Sequence, residues 1–170
     1  MRFYGWIITS VTGLPCNHEL SRLKGCKTLN LSDSQRSFLE THHSAAMATI
    51  GRDGTPRMVR VGVALVDRKL WSSGTQDRVR TARLRDDPRC TLFVFDDGWR
   101  WLTLDTTVRI LEGADAPELT LRLFRQMQNR PTGNLNWFGR ELSSAEFLQV
   151  MAEEKRLIYE FEVIRGYGMV

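Results

Sequence analysis

Residues 71–80, Trp-Ser-Ser-Gly-Thr-Gln-Asp-Arg-Val-Arg, concentrate the groups in this chain best suited to chemistry. A strand-like run ends in small hydroxyl residues, and two arginines follow. Free backbone N–H groups at a helix start favour an anion. Ser72, Ser73 and Thr75 add hydroxyl donors, and Arg78 and Arg80 add forked guanidinium donors that match phosphate geometry. Physically this is a phosphate site. The plainer alternative is a solvated basic helix whose Arg83, Arg85 and Arg89 simply face water, and the local residues leave both readings open.

Other groups are weaker candidates. His42 and His43 are adjacent, so their side chains diverge; a helix-end role suits them better than a metal pair. Asp96 and Asp97 stand next to Gly98, where turn residues are expected rather than a paired-carboxylate site. Cys16, Cys26 and Cys90 form neither a disulfide framework nor a zinc spacing. Cys90 opens an apolar run and reads as a small buried hydrophobe, and the sparse thiols point to a reducing cytoplasm.

The elements that must position the basic segment follow from periodicity. Ser32 and Gln35 form a capping box for a helix through Phe38 and Leu39. A strand over 45–50 meets Arg52-Asp53-Gly54, a hairpin turn signal. Beyond Pro56, Val59, Val61, Val63 and Leu65 share one parity, and Met58, Arg60, Gly62 and Ala64 the other. Residues 70–74 make a third strand, and residues 75–86 read as a short helix with Thr75 as N-cap and Pro88 as stop. A strand over 90–95 follows, then one long or two bulged strands over 99–111, with the break at Asp105. Asp115 and Pro117 open a helix carrying Leu119, Leu123 and Met127. Residues 130–140 read as a loop in which Trp137 and Phe138 are either a lid or an anchor. Ser143 and Glu146 cap another helix, and Leu157, Tyr159, Phe161 and Val163 line one face of a last strand. Tight turns between antiparallel strands predict a mainly β (α+β) chain: a closed barrel with peripheral helices.

The chain has 170 residues, 42% hydrophobic, with a net charge of +4. That suits one domain over residues 31–170. Residues 1–30 show no sustained period and read as an N-terminal extension ahead of it. The apolar stretch behind Arg2 is too short and interrupted to span a membrane, and no A-x-A cleavage pattern follows. The arginines and five tryptophans raise nucleic-acid binding as a class, but no helix-turn-helix, zinc or RNA-binding signature accompanies them.

Residues 31–113 resemble the flavin and deazaflavin branch of the split β-barrel superfamily, the FMN-binding, pyridoxamine-phosphate-oxidase-like fold. Three pieces carry the resemblance: Ala46-Met47-Ala48-Thr49-Ile50 with Arg52-Asp53-Gly54-Thr55-Pro56; the Ser-Ser-Gly-Thr strand end with its Arg-x-Arg; and Arg83-Leu84-Arg85-Asp86-Asp87-Pro88-Arg89, similar to the family's Asn-Leu-Arg-x-Asp-Pro-Arg run. The most similar members are homodimers that use coenzyme F-420, a deazaflavin, in place of FMN. The resemblance implies a cytoplasmic oxidoreductase acting on a small-molecule substrate, with no nucleic-acid or membrane partner and no metal. It implies a cofactor phosphate at Arg78, with Arg80 where lysine is usual, and a wider arginine field (Arg83, Arg85, Arg89) for an oligoglutamate tail. It also implies a ring lying along Met58, Val59, Arg60 and Val61 near Thr49. Trp101 or Trp99 either stacks on that ring or belongs to the barrel core or dimer interface. The alternatives are an FMN-dependent reductase or oxidase, and a non-catalytic protein that binds a flavin, haem or another tetrapyrrole.

Overall fold

The computed structural model describes residues 31–170; the expected N-terminal extension, with Cys16, His18 and Cys26, lies outside the described residues. Six strands close into an antiparallel barrel: β1 (Ser44–Ile50), β2 (Pro56–Val66), β3 (Lys69–Thr75), β4 (Arg89–Phe95), β5 (Trp101–Leu111) and β8 (Arg156–Met169), in the order β1-β2-β3-β8-β5-β4. Four helices lie outside it: α1 (Asp33–Thr41), α2 (Val79–Asp86), α3 (Ala116–Met127) and α4 (Ser144–Glu153). Two short strands, β6 (Leu135–Trp137) and β7 (Arg140–Leu142), form a separate hairpin. The expected barrel with peripheral helices is the fold observed.

Parity explains the barrel. Val61, Val63 and Leu65 of β2 point inward, with Ala45 and Met47 of β1 and Leu157, Tyr159 and Phe161 of β8. Ala64 and Val66 take the opposite face of β2 and meet Trp71, Ile158 and Leu123 beneath α3. Both capping boxes form, Ser32 with Gln35 and Ser143 with Glu146. β5 is one strand, and its register against β8 shifts between Asp105 and Thr106, where the break was expected.

Two expectations are corrected. Thr75 does not cap α2: it remains in β3, paired with Arg156 of β8, and the helix starts at Val79 with Arg78 as N-cap. Strand pairing persists because Gln76 N also bonds to the Lys155 carbonyl. Residues 130–140 are more than a loop, since β6 and part of β7 lie among them. Leu135, Trp137 and Leu142 pack with Leu121, Phe147 and Met151 into a second core above the barrel.

A buried hydroxyl fixes α2 to the barrel. Tyr159 is fully buried, and its hydroxyl lies 2.6 Å from Thr81 Oγ1. The Thr81 hydroxyl donates to the Thr75 carbonyl at 2.7 Å, so the Tyr159 O–H donates to Thr81. Gly74 makes room for this: a Cβ there would lie 2.6 Å from Tyr159 Cε2 and closer still to the hydroxyl. Gly74→Ala should therefore cost about 1–3 kcal/mol of stability through overpacking. A urea midpoint equal to that of the wild type would show that the tyrosine moves aside freely.

Candidate functional site

β2, β3, α2, α3, β8 and the β6–β7 hairpin enclose a cavity of about 580 Å³, within the range of small-molecule sites. Its inner wall is the outward face of the barrel. Arg60 and Gly62 come from β2 and Ser73 from β3, with Arg80 on the first turn of α2. Leu123, Phe124 and Met127 of α3 form an apolar wall, and Trp137 and Phe138 of the hairpin close the far side. Met127 packs over Gly62, where a Cβ would lie 3.0 Å from its sulfur.

The electrostatics are one-sided. Arg60, Arg80 and Arg156 line the cavity, and among the described residues no carboxylate does. Arg156 is already committed: it pairs with Glu154 at 2.7 Å, and its guanidinium lies 4.6 Å from the Trp137 ring centroid. No ion pair holds Arg60 or Arg80 among the described residues, whereas Arg52, Arg85 and Arg109 each meet a carboxylate. Arg60 donates only to Ser44 Oγ, at 3.3 Å. Among the described residues Arg80 Nε, Ser73 Oγ and Ser72 Oγ are buried with no hydrogen-bond partner, and the first two belong to residues that line the cavity. Buried polar atoms are normally satisfied, so two orphans on one cavity call for a ligand that accepts hydrogen bonds.

The sequence-derived site residues are divided between the cavity and the rest of the fold. Arg60, Val61, Ser73 and Arg80 line the cavity. Ser72 has the opposite parity to Ser73 and is buried, as is Thr49, whose hydroxyl donates to the Arg57 carbonyl at 3.5 Å. Val59 packs against the barrel core, while Met58, outward on β2, is 65% exposed beyond the cavity. The Thr75 hydroxyl donates to Asp77, which holds that carboxyl below its usual range. Arg78 is exposed at the α2 N-cap and does not line the cavity. Trp101 lies on β5, across the barrel from β2, in a row with Phe93 and Tyr167 at centroid separations of 5.8 and 6.3 Å. Of the wider arginine field, Arg85 pairs with Glu112 and Arg89 with Asp87.

Several lining residues were not foreseen as site residues. His42 stays at the helix end, stacked on Phe38, as expected of it. His43 instead lines the cavity, and its Nδ1–H donates to the Val63 carbonyl at 3.0 Å. Burial lowers its pKa from the ordinary 6.5, a shift that the Val63 carbonyl opposes and the neighbouring His42 assists. The divergence of adjacent side chains was the available signal. It separates the two histidines but does not say which of them faces a cavity. Cys90 is buried, and burial pushes its thiol up to about 12, which makes it chemically quiet.

A family model described as pyridoxamine 5'-phosphate oxidase matches residues 31–159. Similar solved structures include a conserved hypothetical protein from Mycobacterium tuberculosis, 21% identical over 86% of this chain and 89% of that one, with a TM-score of 0.63. An F-420 reductase is 19% identical over 81% and 98%, with a TM-score of 0.61. A haem storage protein from Vibrio cholerae is 14% identical over 81% and 93%, with a TM-score of 0.57. At these identities the likeness shows the fold. A comparison with curated proteins found no match. Among the described residues no group of acidic, histidine or cysteine side chains could hold a metal, and no helix is long and apolar enough to cross a membrane.

The lowered His43 pKa has a defined consequence. As pH falls below 6.5, the unfolded chain takes up this proton before the folded chain does. Stability should therefore fall from pH 6.5 down to the lowered folded value. His43→Gln should flatten that part of the profile of urea midpoint against pH. Equal slopes in both proteins would remove His43 as the responsible group.

Proposed function

The chain belongs to the pyridoxamine 5'-phosphate oxidase family, and on that premise we propose that it binds coenzyme F-420, a deazaflavin, and transfers a hydride between it and a small organic substrate. The observation that carries this reading is the pair of orphaned atoms, Arg80 Nε and Ser73 Oγ, on a cavity lined by arginines and by no acid. An unsatisfied buried donor costs about 1–3 kcal/mol. A phosphate accepting from Arg80 and Ser73 would relieve both orphans at once. The residues present therefore fit a phosphate-bearing cofactor.

Bound there, the deazaflavin would supply the hydride chemistry, and the protein binding, orientation and exclusion of water. Arg80 and Ser73 would hold the anion, and Arg60 adds a second unpaired guanidinium on the same wall. Leu123, Phe124 and Met127 offer an apolar surface to a ring system. With Nδ1–H given to Val63, His43 keeps Nε2 as its acceptor atom. Among the lining side chains it is the one whose type titrates near neutrality, so it is the group suited to give or take a proton. FMN makes the same demand on Arg80 and Ser73 and is the second reading. Bound cofactor without turnover would instead indicate a storage or carrier role.

The homodimer belongs to the same reading. Phe93, Phe95, Trp101 and Tyr167 form an aromatic row on the outer face of β4, β5 and β8, with Phe95 40% and Tyr167 44% exposed. A contiguous apolar face of this kind marks an interaction surface, and a second copy is the occupant the family resemblance implies. A closed barrel offers no free strand edge, so the copies would meet face to face. Wild-type protein should sediment as a dimer, and Phe95→Asp should shift it towards monomer. A wild-type monomer at micromolar concentration would refute this.

Binding of F-420 and FMN, followed by fluorescence quenching, tests the cofactor site. Arg80→Ala should weaken binding roughly 10- to 100-fold, the worth of a hydrogen bond to a charged group. Arg78→Ala, at an exposed position outside the cavity, should change it less than about threefold. Loss with Arg78→Ala but not with Arg80→Ala would move the phosphate out of the cavity. No binding of either cofactor by the wild type would overturn the enzyme reading.

A further inference from the structure

Phe138 sits at the cavity wall in a way that the hairpin itself does not require. Trp137 pairs with Arg140, so Phe138 and Gly139 are the two loop residues. Their φ values of 49° and 83° make this a two-residue turn of the type that strongly favours Asn-Gly or Asp-Gly. Asp67, Arg68, Asn129, Phe138 and Lys155 are the non-glycine residues with positive φ among the described residues, and Phe138 alone is apolar. A bulky side chain in this conformation is strained. Phe138 is also 85% exposed, so burial does not compensate.

The rest of the hairpin is held firmly. The Asn136 backbone N–H donates to Gln128 Oε1 at 2.9 Å, and Gln128 Nε2 donates to the Asn136 carbonyl at 2.8 Å. Trp137 is buried against Phe124 and Phe147, and its indole donates to Glu154 at 3.3 Å. The Phe138 ring meets Trp137 edge-on, with centroids 4.8 Å apart at 74°, and lines the same cavity as Arg80. A fixed base therefore presents a strained, solvated aromatic ring to the cavity. Strain kept without a packing return is characteristic of functional positions.

We infer that Phe138 is a ligand-binding platform that stacks on the planar ring of an aromatic anion whose anionic group sits at Arg80 and Ser73. The inference rests on the cofactor reading above and adds a residue and a selection rule to it: the cavity discriminates by ring as well as by phosphate. Ring recognition and anion recognition then lie on separate elements, the β6–β7 hairpin and the β3–α2 junction.

The test uses FMN, riboflavin and ribose 5-phosphate as probes, with Phe138→Asn, Phe138→Tyr and Arg80→Ala alongside the wild type. Phe138→Asn places a favoured turn residue at a positive φ and should raise the melting temperature by about 2–4 °C. The same variant should weaken FMN and riboflavin by a similar factor, roughly 5- to 10-fold, the worth of one aromatic stacking contact. Ribose 5-phosphate should bind it as it binds the wild type, and Phe138→Tyr should retain FMN affinity within about twofold. Arg80→Ala should weaken FMN and ribose 5-phosphate and spare riboflavin. Unchanged flavin binding in Phe138→Asn overturns the platform and leaves the cofactor reading standing. Wild-type protein that binds ribose 5-phosphate but neither flavin nor F-420 overturns the platform and leaves an anion site. Wild-type protein that binds none of the three and no F-420 overturns both.

Discussion

The position of Arg80, the arginine proposed to bind the anion, depends on a tyrosine hydroxyl inside the barrel. Tyr159 is completely buried, and a phenol there needs a partner. Its partner is Thr81, which reaches back to the carbonyl of Thr75 at the end of β3. That chain of two hydrogen bonds ties the first turn of α2 to the barrel and fixes which helix residues face inward. Thr81 is buried, and its neighbour Arg80 lines the cavity with a guanidinium 5.9 Å from the Tyr159 ring centroid. Gly74 belongs to the same device, because only a residue without Cβ fits over the tyrosine. At the hydroxyl-rich strand end the Thr75 hydroxyl bonds to Asp77, Ser72 is turned into the barrel, and Ser73 is the one that lines the cavity.

On the proposed reading, this arrangement would let a chain with so many arginines still present a selective anion site. Most surface guanidinium groups with a nearby acid are drawn into exposed ion pairs, each of small energetic worth. Arg85 with Glu112, Arg89 with Asp87 and Arg165 with Asp105 are of this kind. Their charge is compensated locally and does little at a distance. Arg60 and Arg80 differ because the elements around them bring hydroxyls and apolar side chains but no carboxylate. Selectivity then comes from which arginines are left uncompensated, and net charge carries little of it.

Much of the barrel was legible because its rules are local. Alternation on β2 and β8, two capping boxes and the Asp-Gly turn each depend on residues a few positions apart, and the family resemblance gave the closure its name. The site was only partly legible. Arg80 and Ser73 were named, but Ser72 and Thr75 were grouped with them by type and Thr49 was added by the family resemblance, and parity sends Ser72 and Thr49 away from the cavity. Arg78 and Arg80 could not be ranked from spacing, because the rank depends on where α2 begins, and that depends on Tyr159, almost eighty residues downstream. The β6–β7 hairpin was missed for a related reason. Its turn residues are Phe-Gly, and the usual signal would have been Asn-Gly. For His43 the local signal stopped at its divergence from His42, since it faces the cavity only because β1 and β2 pair in the register they do.

The second core has its own consequence for how the cavity is built. α3 is apolar on more than one side: Leu123 packs towards the barrel with Trp71 and Ile158, while Leu121 packs with Trp137 and Phe147. The helix is therefore a wall shared by two cores, and the cavity lies where its end, Leu123 to Met127, passes over β2. The wall proposed to bind the anion is made of β2 and β3 residues, placed by strand pairing, and of Arg80, placed by the start of α2. The opposite wall is made of the end of α3, which packs against both cores, and of the hairpin, which belongs to the smaller one. A substitution at Phe138, exposed at the hairpin turn, can reshape that wall without disturbing β3 or α2, whereas Phe124 also packs against the cluster that holds Trp71 of β3. On the proposed reading, the division would let one fold keep a fixed anchor for a phosphate while the surface that meets the rest of the ligand varies, so that a common barrel could serve ligands of different shape.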